Sequence, residues 1–382
     1  MEKDAKIFVA GHRGLVGSAI YRNLKKKGFT NIITRTRQEL DLTQCDKVAE
    51  FFLEEQPEYV FLAAAKVGGI IANHNYRGEF IYDNLMIQTN VIHHSYLFGV
   101  KKLMFLGSTC IYPKVSPQPI REEYLMRGPL EHTNEPYAIA KLAGVKMCES
   151  YNLQYGTNFI SVMPPSLYGP GDNFNLETSH VLPALVRKMH LGKAWKENNW
   201  ANIRNDLNSR PIGDVTGTST KQEIVAALKS VGIIKKRPTQ GEVDENVSIE
   251  IWGTGKPLRE FLWSDDMADA CVFLMDTCDF QDIVELRKQE ADIAPGITNT
   301  HINIGTGKEI SIFHLAHAVK YSVDFGGELH FNSDKPDGTV KKLSDISRLQ
   351  ALGWQHRIEL EEGINMLYRW YLKSIETMVD SV

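Results

Sequence analysis

Residues 6–28 read KIFVAGHRGLVGSAIYRNLKKKG, and three kinds of local structure follow one another in them without a break. KIFVA is a short apolar run of the length of a strand buried on both faces. GHRGLVG places Gly11, Gly14 and Gly17 three residues apart in a turn. LVGSAIYRNLKKKG then repeats its apolar residues at helical spacing and stops at Gly28. The same beat continues downstream. It predicts strands at 31–36, 59–64, 102–107 and 158–163, with helices at about 43–55, 78–98 and 135–155. Short apolar strands alternating with helices predict a parallel sheet covered on both faces, hence a doubly wound α/β fold. Ligands of such sheets sit at the carboxyl ends of the strands.

Beyond residue 165 the beat breaks. PPSLYGPGD leads into a predicted helix at 179–193, and a polar stretch of different character follows at about 195–247. That stretch carries its own capped helix, with Thr220 and Glu223 in capping-box spacing. These breaks predict a Rossmann-type domain over 1–165, to which the chain returns at about 248–270 and 300–306. A second, smaller α/β domain is predicted over 166–382, with 195–247 as an added segment, read as a rim or flap over a ligand pocket or as an added dimer contact. The basic run at 235–237 reads as a solvated loop.

Composition narrows the functional classes. The 382 residues hold 43 Lys+Arg against 47 Asp+Glu, a net charge of −4 with no basic face for nucleic acid. Five cysteines lack disulfide or metal spacing, which suits a reducing compartment and predicts no metal site. No apolar run is long enough for a membrane span. A soluble, cytoplasmic protein is the expectation.

A glycine turn between the first strand and first helix lets the backbone approach a pyrophosphate, which rests on the helix N-terminus. The end of the second strand then selects the dinucleotide. An acidic residue there would serve the ribose of NAD, whereas this chain offers Arg35 and Arg37, with Arg13 inside the turn. Guanidinium groups suit a 2′-phosphate and predict NADP(H), with Asp41 and Leu42 beside the adenine. YAIAK, residues 137–141, puts Tyr137 and Lys141 on one helix face. A nearby ammonium is expected to lower the tyrosine pKa, making Tyr137 an acid for a ketone oxygen that receives hydride. Ser108, at the end of the strand leading into LGSTCIYP, is expected to hydrogen-bond the same oxygen.

This combination resembles the extended short-chain dehydrogenase/reductase superfamily of nucleotide-sugar enzymes. AGHRGLVGSAI, AAAKVGGI, LGSTCIYP, EPYAIAKLAG, LYGPGDNF, SHVLPAL, PLREFL and KPDGT look most like its GDP-4-keto-6-deoxy-D-mannose 3,5-epimerase-4-reductases. The likeness spans nearly the whole chain outside 195–247. It implies NADPH-dependent epimerisation at C3 and C5 followed by reduction at C4. It assigns Cys110 and His180 to proton transfer at the carbons beside the ketone, and Ser108, Tyr137 and Lys141 to reduction. It places the cofactor against Gly11, His12, Arg13, Gly14, Leu15, Val16, Gly17, Arg37, Asp41, Leu42, Leu106, Gly107, Ser108, Lys141, Pro164, Leu167 and His180. It places the GDP-sugar against Lys188, Trp252, Arg259 and Lys335, and implies a homodimer. Pro165 and Ser166 stand where the better-known pattern has threonine and asparagine. Two other readings compete. One is a nucleotide-sugar 4,6-dehydratase or 4-epimerase recycling NAD, and the other is a non-catalytic NADP-binding sensor. Cys110 and Arg37 speak against the first, and the intact catalytic set against the second.

Overall fold

Strand β1 (Ile7–Ala10) shows how the first layer forms. Successive side chains point to opposite faces of a strand, so Ile7 and Val9 enter one apolar core while Phe8 and Ala10 enter another. The same two-sided burial holds for β3 (Tyr59–Leu62), β4 (Lys102–Leu106) and β5 (Phe159–Met163), while β2 is the two-residue pair Ile32–Ile33. This computed structural model describes residues 1–69, 73, 75–236, 246–290 and 296–379. Ile70, Arg237 and the end of the added segment, 237–245, lie outside them.

The strands pair in parallel in the order β2-β1-β3-β4-β5, and a sixth strand, Ile302–Asn303, adds beside β5. The order reverses between β1 and β3, which opens a crevice at their carboxyl ends. Helices α1 (Leu15–Lys26), α2 (Cys45–Glu55), α3 (Arg77–Leu97) and α4 (Glu135–Tyr155) connect them. Lys25 and Lys26 in the last turn of α1 complement the helix dipole. The fold is therefore the Rossmann-type sheet that the alternation predicts. The second strand is much shorter than 31–36, because its pairing with β1 ends at Ile33.

The chain divides into two units. The first takes Met1–Leu167, Glu260–Lys308 and Lys342–Ile358, and the second takes Tyr168–Arg259, Glu309–Lys341 and Glu359–Val382. Two parts of the expected division need correction. Residues 248–259 do not return to the first unit. Strand Asn246–Trp252 is the centre of the second unit's sheet, antiparallel to Ile233–Lys236 and parallel to Glu328–Asn332. Conversely, 342–358 rejoins the first unit through a bridge between Ile120 and Ser344 and a single-turn helix, Ser347–Ala351. Pairings that short leave no periodic pattern to read.

In the second unit helix Val181–Lys196 is joined by Ile312–Val323 and Leu360–Val379. The added segment contributes helices Trp200–Ser209 and Lys221–Ser230 and the strand Ile233–Lys236. The capping box of Thr220 and Glu223 forms as its spacing requires. Most of the segment is thus built into the second unit's sheet and helices rather than standing off as a flap.

Candidate active site

In the first unit the glycine turn closes tightly. Gly11 has φ +84°, and a Cβ there would lie 2.7 Å from the Ala64 nitrogen. A Cβ on Gly17 would lie 2.1 Å from the Gly11 carbonyl oxygen. Only glycine at both positions lets the start of α1 approach the ends of β1 and β3. Gly14 caps α1, whose first turn holds no acidic side chain, so its N–H groups suit an anion. A pyrophosphate fits this cradle. His12 stands beside it, its pKa lowered by burial and by the Arg13 guanidinium.

The two arginines after β2 differ sharply. Arg35 is tied to Glu55, donates to the Thr34 carbonyl at 2.9 Å and lies 5.6 Å over the Phe51 ring. Arg37 is 73% exposed, and its ion-pair partner among the described residues is Asp41, at 3.6 Å. Burial would raise the Asp41 carboxyl, but Thr43 and Arg37 hold it below its ordinary value. Of the pair, Arg37 is the guanidinium with donors to spare for a phosphate. Leu42 is held by Asn90, which donates to its carbonyl at 2.9 Å.

The end of β4 gathers Ser108, Cys110, Tyr137 and Lys141. Ser108 begins a single 3-10 turn, Thr109–Ile111, and its Oγ accepts from the Cys110 N–H at 3.3 Å. The Thr109 N–H donates to the Pro164 carbonyl at 3.1 Å, joining this turn to the end of β5. Lys141 on α4 donates to the Leu106 carbonyl at 2.8 Å and stands 5.9 Å over the Tyr137 ring. Burial lowers Lys141 to about 8, opposed by the Cys110 charge. Burial also raises the Cys110 thiol, opposed by Lys342, Ser108 and Lys141.

Tyr137 departs from its expected behaviour. Its pKa is raised, first by burial and then by Cys110, and not lowered by Lys141. The cause is physical: burial of the phenol penalises the phenolate more than the cation four residues along the helix can favour it. Tyr112, which sequence reasoning passed over, anchors the whole turn. Its hydroxyl donates to Asn303 Oδ1 at 2.6 Å and meets His301 Nε2 at 2.8 Å. The apolar run CIYP held the signal, a large aromatic two residues after Cys110.

In the second unit His180 is the N-cap of helix Val181–Lys196, yet its side chain makes no capping bond. That leaves the ring available for chemistry. The residue keeps some solvent access, and desolvation by the protein packed around the ring lowers its pKa. Lys188, two turns along, donates to the Glu250 carbonyl at 3.3 Å, and burial lowers its pKa. Glu250 lies on the strand that ends in half-exposed Trp252, over whose ring Lys335 sits at 5.1 Å. Arg259 donates to the Leu258 carbonyl at 2.7 Å and to that of Thr339. Burial lowers its pKa while Asp337 opposes the shift. Asp337 also accepts from Thr254 N at 2.8 Å and Oγ1 at 2.7 Å. The loops WGTGKPLR and KPDGT therefore interlock, and they bring Trp252, Arg259 and Lys335 to one strand end. Asp337 was legible only as part of a string.

The NAD dependent epimerase/dehydratase family matches residues 7–216 and 233–304. GDP-L-fucose synthase 1 of Arabidopsis thaliana is 48% identical over 98% of this chain and 95% of that protein. Among solved structures, a GDP-6-OMe-4-keto-L-xylo-heptose reductase from C. jejuni superposes with a TM-score of 0.87 at 47% identity, covering 98% of this chain and 99% of that one. A GDP-D-glycero-L-gluco-heptose synthase from Campylobacter jejuni, solved in the presence of NADPH, gives 0.85 at 46% identity over 97% and 99%.

Proposed function

The chain belongs to the NAD dependent epimerase/dehydratase family. On that premise we propose that it converts GDP-4-keto-6-deoxy-D-mannose to GDP-L-fucose by 3,5-epimerisation followed by NADPH-dependent reduction at C4. One observation carries this reading: a thiol, Cys110, shares its strand end with Ser108, Tyr137 and Lys141. The last three suffice for a ketone reductase. The thiol adds a group able to move protons at the carbons flanking the ketone.

The first unit holds NADP(H), with the pyrophosphate on the glycine cradle and the 2′-phosphate at Arg37. NADPH, when bound, supplies the hydride. Ser108 and Tyr137 hydrogen-bond the C4 oxygen, which drains electron density from C3–H and C5–H and makes each acidic enough to lose a proton. Cys110 and His180 are the proton-transfer pair. At each carbon one removes the proton to leave an enolate and the other returns a proton to the opposite face. Tyr137 then donates its phenolic proton to the C4 alkoxide, and Lys141 steadies the phenolate left behind. The second unit holds GDP, with Lys188, Arg259 and Lys335 serving the diphosphate and Trp252 lying against the nucleotide or sugar. The working protein is a cytoplasmic homodimer built on α3 and α4. Among the described residues no helix is long and apolar enough to cross a membrane.

A second reading has its own support, since two solved relatives at 46–47% identity are named for GDP-heptoses. The same residues would then reduce a C4 ketone on a seven-carbon sugar. The dehydratase and sensor readings are not favoured. Purified protein offered NADPH with either GDP-4-keto-6-deoxy-D-mannose or a GDP-4-keto-heptose tests both, by cofactor consumption and NMR of the product. Turnover of the hexose to GDP-L-fucose supports the proposal. Turnover of the heptose alone replaces it with the second reading, and no turnover of either refutes both.

A further inference from the structure

Arg187 and Asp206 are each 0% exposed, and they form a buried ion pair inside the second unit. Arg187 Nε and Nη2 donate to Asp206 Oδ1 at 2.9 and 2.8 Å. Arg187 Nη1 donates to the Phe174 carbonyl at 3.1 Å, and Nη2 also reaches the Arg210 carbonyl. The second oxygen of Asp206 accepts from the Tyr371 hydroxyl. Arg210 lies 5.4 Å over the Phe174 ring and 5.1 Å over that of Tyr371, and its Nη2 donates to Ser374 Oγ at 2.7 Å. Asp206 lies on helix Trp200–Ser209 and Arg210 directly follows it, whereas Arg187 comes from the helix that His180 caps.

Removing one member of a buried pair leaves an uncompensated charge. Arg187 in its present place therefore depends on Asp206. Position matters as much as charge. Arg187 follows His180 by seven residues, about two turns at 3.6 residues per turn, so both lie along one line of the helix. Lys188 is the next residue. Any rotation or slide of the helix at Arg187 displaces His180 and Lys188 together. The bond to the Phe174 carbonyl also holds the loop that enters the helix, so the start of the helix is restrained from both sides.

We propose that Asp206 is a positioning residue: through Arg187 it fixes the rotation of helix Val181–Lys196 and the loop before it, and thereby the places of His180 and Lys188. Helix Trp200–Ser209 is then a brace for the substrate helix. This inference rests on the functional reading above, in which His180 transfers protons and Lys188 meets the diphosphate.

Two variants of the full chain test it. Asp206→Asn keeps the shape and removes the charge. The double variant Arg187→Met, Asp206→Leu replaces the pair by apolar side chains, a change that commonly leaves stability intact. GDP binding by calorimetry, KM for the GDP-sugar, solvent-deuterium exchange at C3 and C5, and NADPH affinity are measured per folded molecule, alongside the melting temperature. Displacing groups by about 1 Å costs as much as ~100-fold, so a loss of roughly ten- to 100-fold is expected in GDP affinity and in exchange, with NADPH affinity unchanged. The double variant should melt near the wild-type temperature and still bind GDP weakly. A merely structural pair would lower the melting temperature of Asp206→Asn and leave GDP affinity and exchange of the folded molecules as they were; that result overturns the proposal. If Asp206→Asn does not fold, a double variant with wild-type GDP affinity and exchange overturns it equally. A wild-type protein that binds NADPH but neither binds GDP nor exchanges the sugar hydrogens refutes the functional reading, and the positioning role with it.

Discussion

Replacing Cys110 by serine removes a thiol and little else. The turn Thr109–Ile111 does not depend on it, because Ser108 Oγ accepts from the backbone N–H of residue 110. The side chain is 6% exposed, so the new hydroxyl is buried, and that costs roughly 1–3 kcal/mol where it finds no partner. Melting should fall by a few degrees while the sheet and the Tyr137–Lys141 pair persist. A general acid-base group contributes ~10²- to 10⁴-fold in rate, so proton transfer should slow by that factor, about 3–5 kcal/mol of barrier. Solvent-deuterium incorporation at C3 and C5, followed without NADPH, isolates this half of the chemistry. Tyr137→Phe is the control: some exchange persists while reduction is severely impaired. The pH dependence sharpens the test. Under the proposed assignment the working state holds one proton on Cys110 or His180, whichever of the two releases it. Desolvation raises the thiol and lowers the imidazole, which moves the limbs of the profile apart. Exchange should fall only below the ordinary imidazole value of about 6.5 and only above the ordinary thiol value of about 8.5. A limb inside that window contradicts the assignment. Native-rate exchange at both carbons in Cys110→Ser would reduce Cys110 to a packing residue.

Gly17→Ala sets a Cβ 2.1 Å from the Gly11 carbonyl oxygen, so the start of α1 must move; NADPH affinity by fluorescence titration should fall at least tenfold, and unchanged affinity would remove the pyrophosphate from the glycine cradle. Arg37→Ala should raise the KM for NADPH by roughly ten- to 100-fold, the equivalent of the ~1.5–3 kcal/mol carried by a charged hydrogen bond, while leaving NADH untouched; an equal effect on both cofactors would place Arg37 away from the 2′-phosphate. Glu122 is buried, and burial raises its carboxyl from about 4.5 to about 7. The folded state therefore holds a proton that the unfolded state loses between those values, and stability falls as pH rises through the window. Glu122→Gln should raise the melting temperature at pH 8 and not at pH 4, the gain in stability at the higher pH being at most about 3.4 kcal/mol. Equal shifts at both pH values would show that the charge is not responsible.

The Rossmann half was legible because its signals are local. A strand buried on both faces is a continuous apolar run, a glycine turn is a spacing of three, and Tyr137 and Lys141 share a face because a helix turns every 3.6 residues. The reach of the second unit was harder to read, since its central strand, Asn246–Trp252, gains its second partner only when Glu328–Asn332, far along the chain, folds against it. The return of 342–358 to the first unit rests on pairings too short to carry a period. Tertiary structure alone separated Arg35 from Arg37, because Glu55, which occupies Arg35, lies 20 residues away along the chain. It alone reversed the expected direction for Tyr137, since desolvation depends on everything packed around a group and not on the one cation four residues along its helix. For the same reason the partner of Arg187 could not be read from sequence. Asp206 follows it by 19 residues, and only the packing of one helix on another makes their opposite charges necessary to each other.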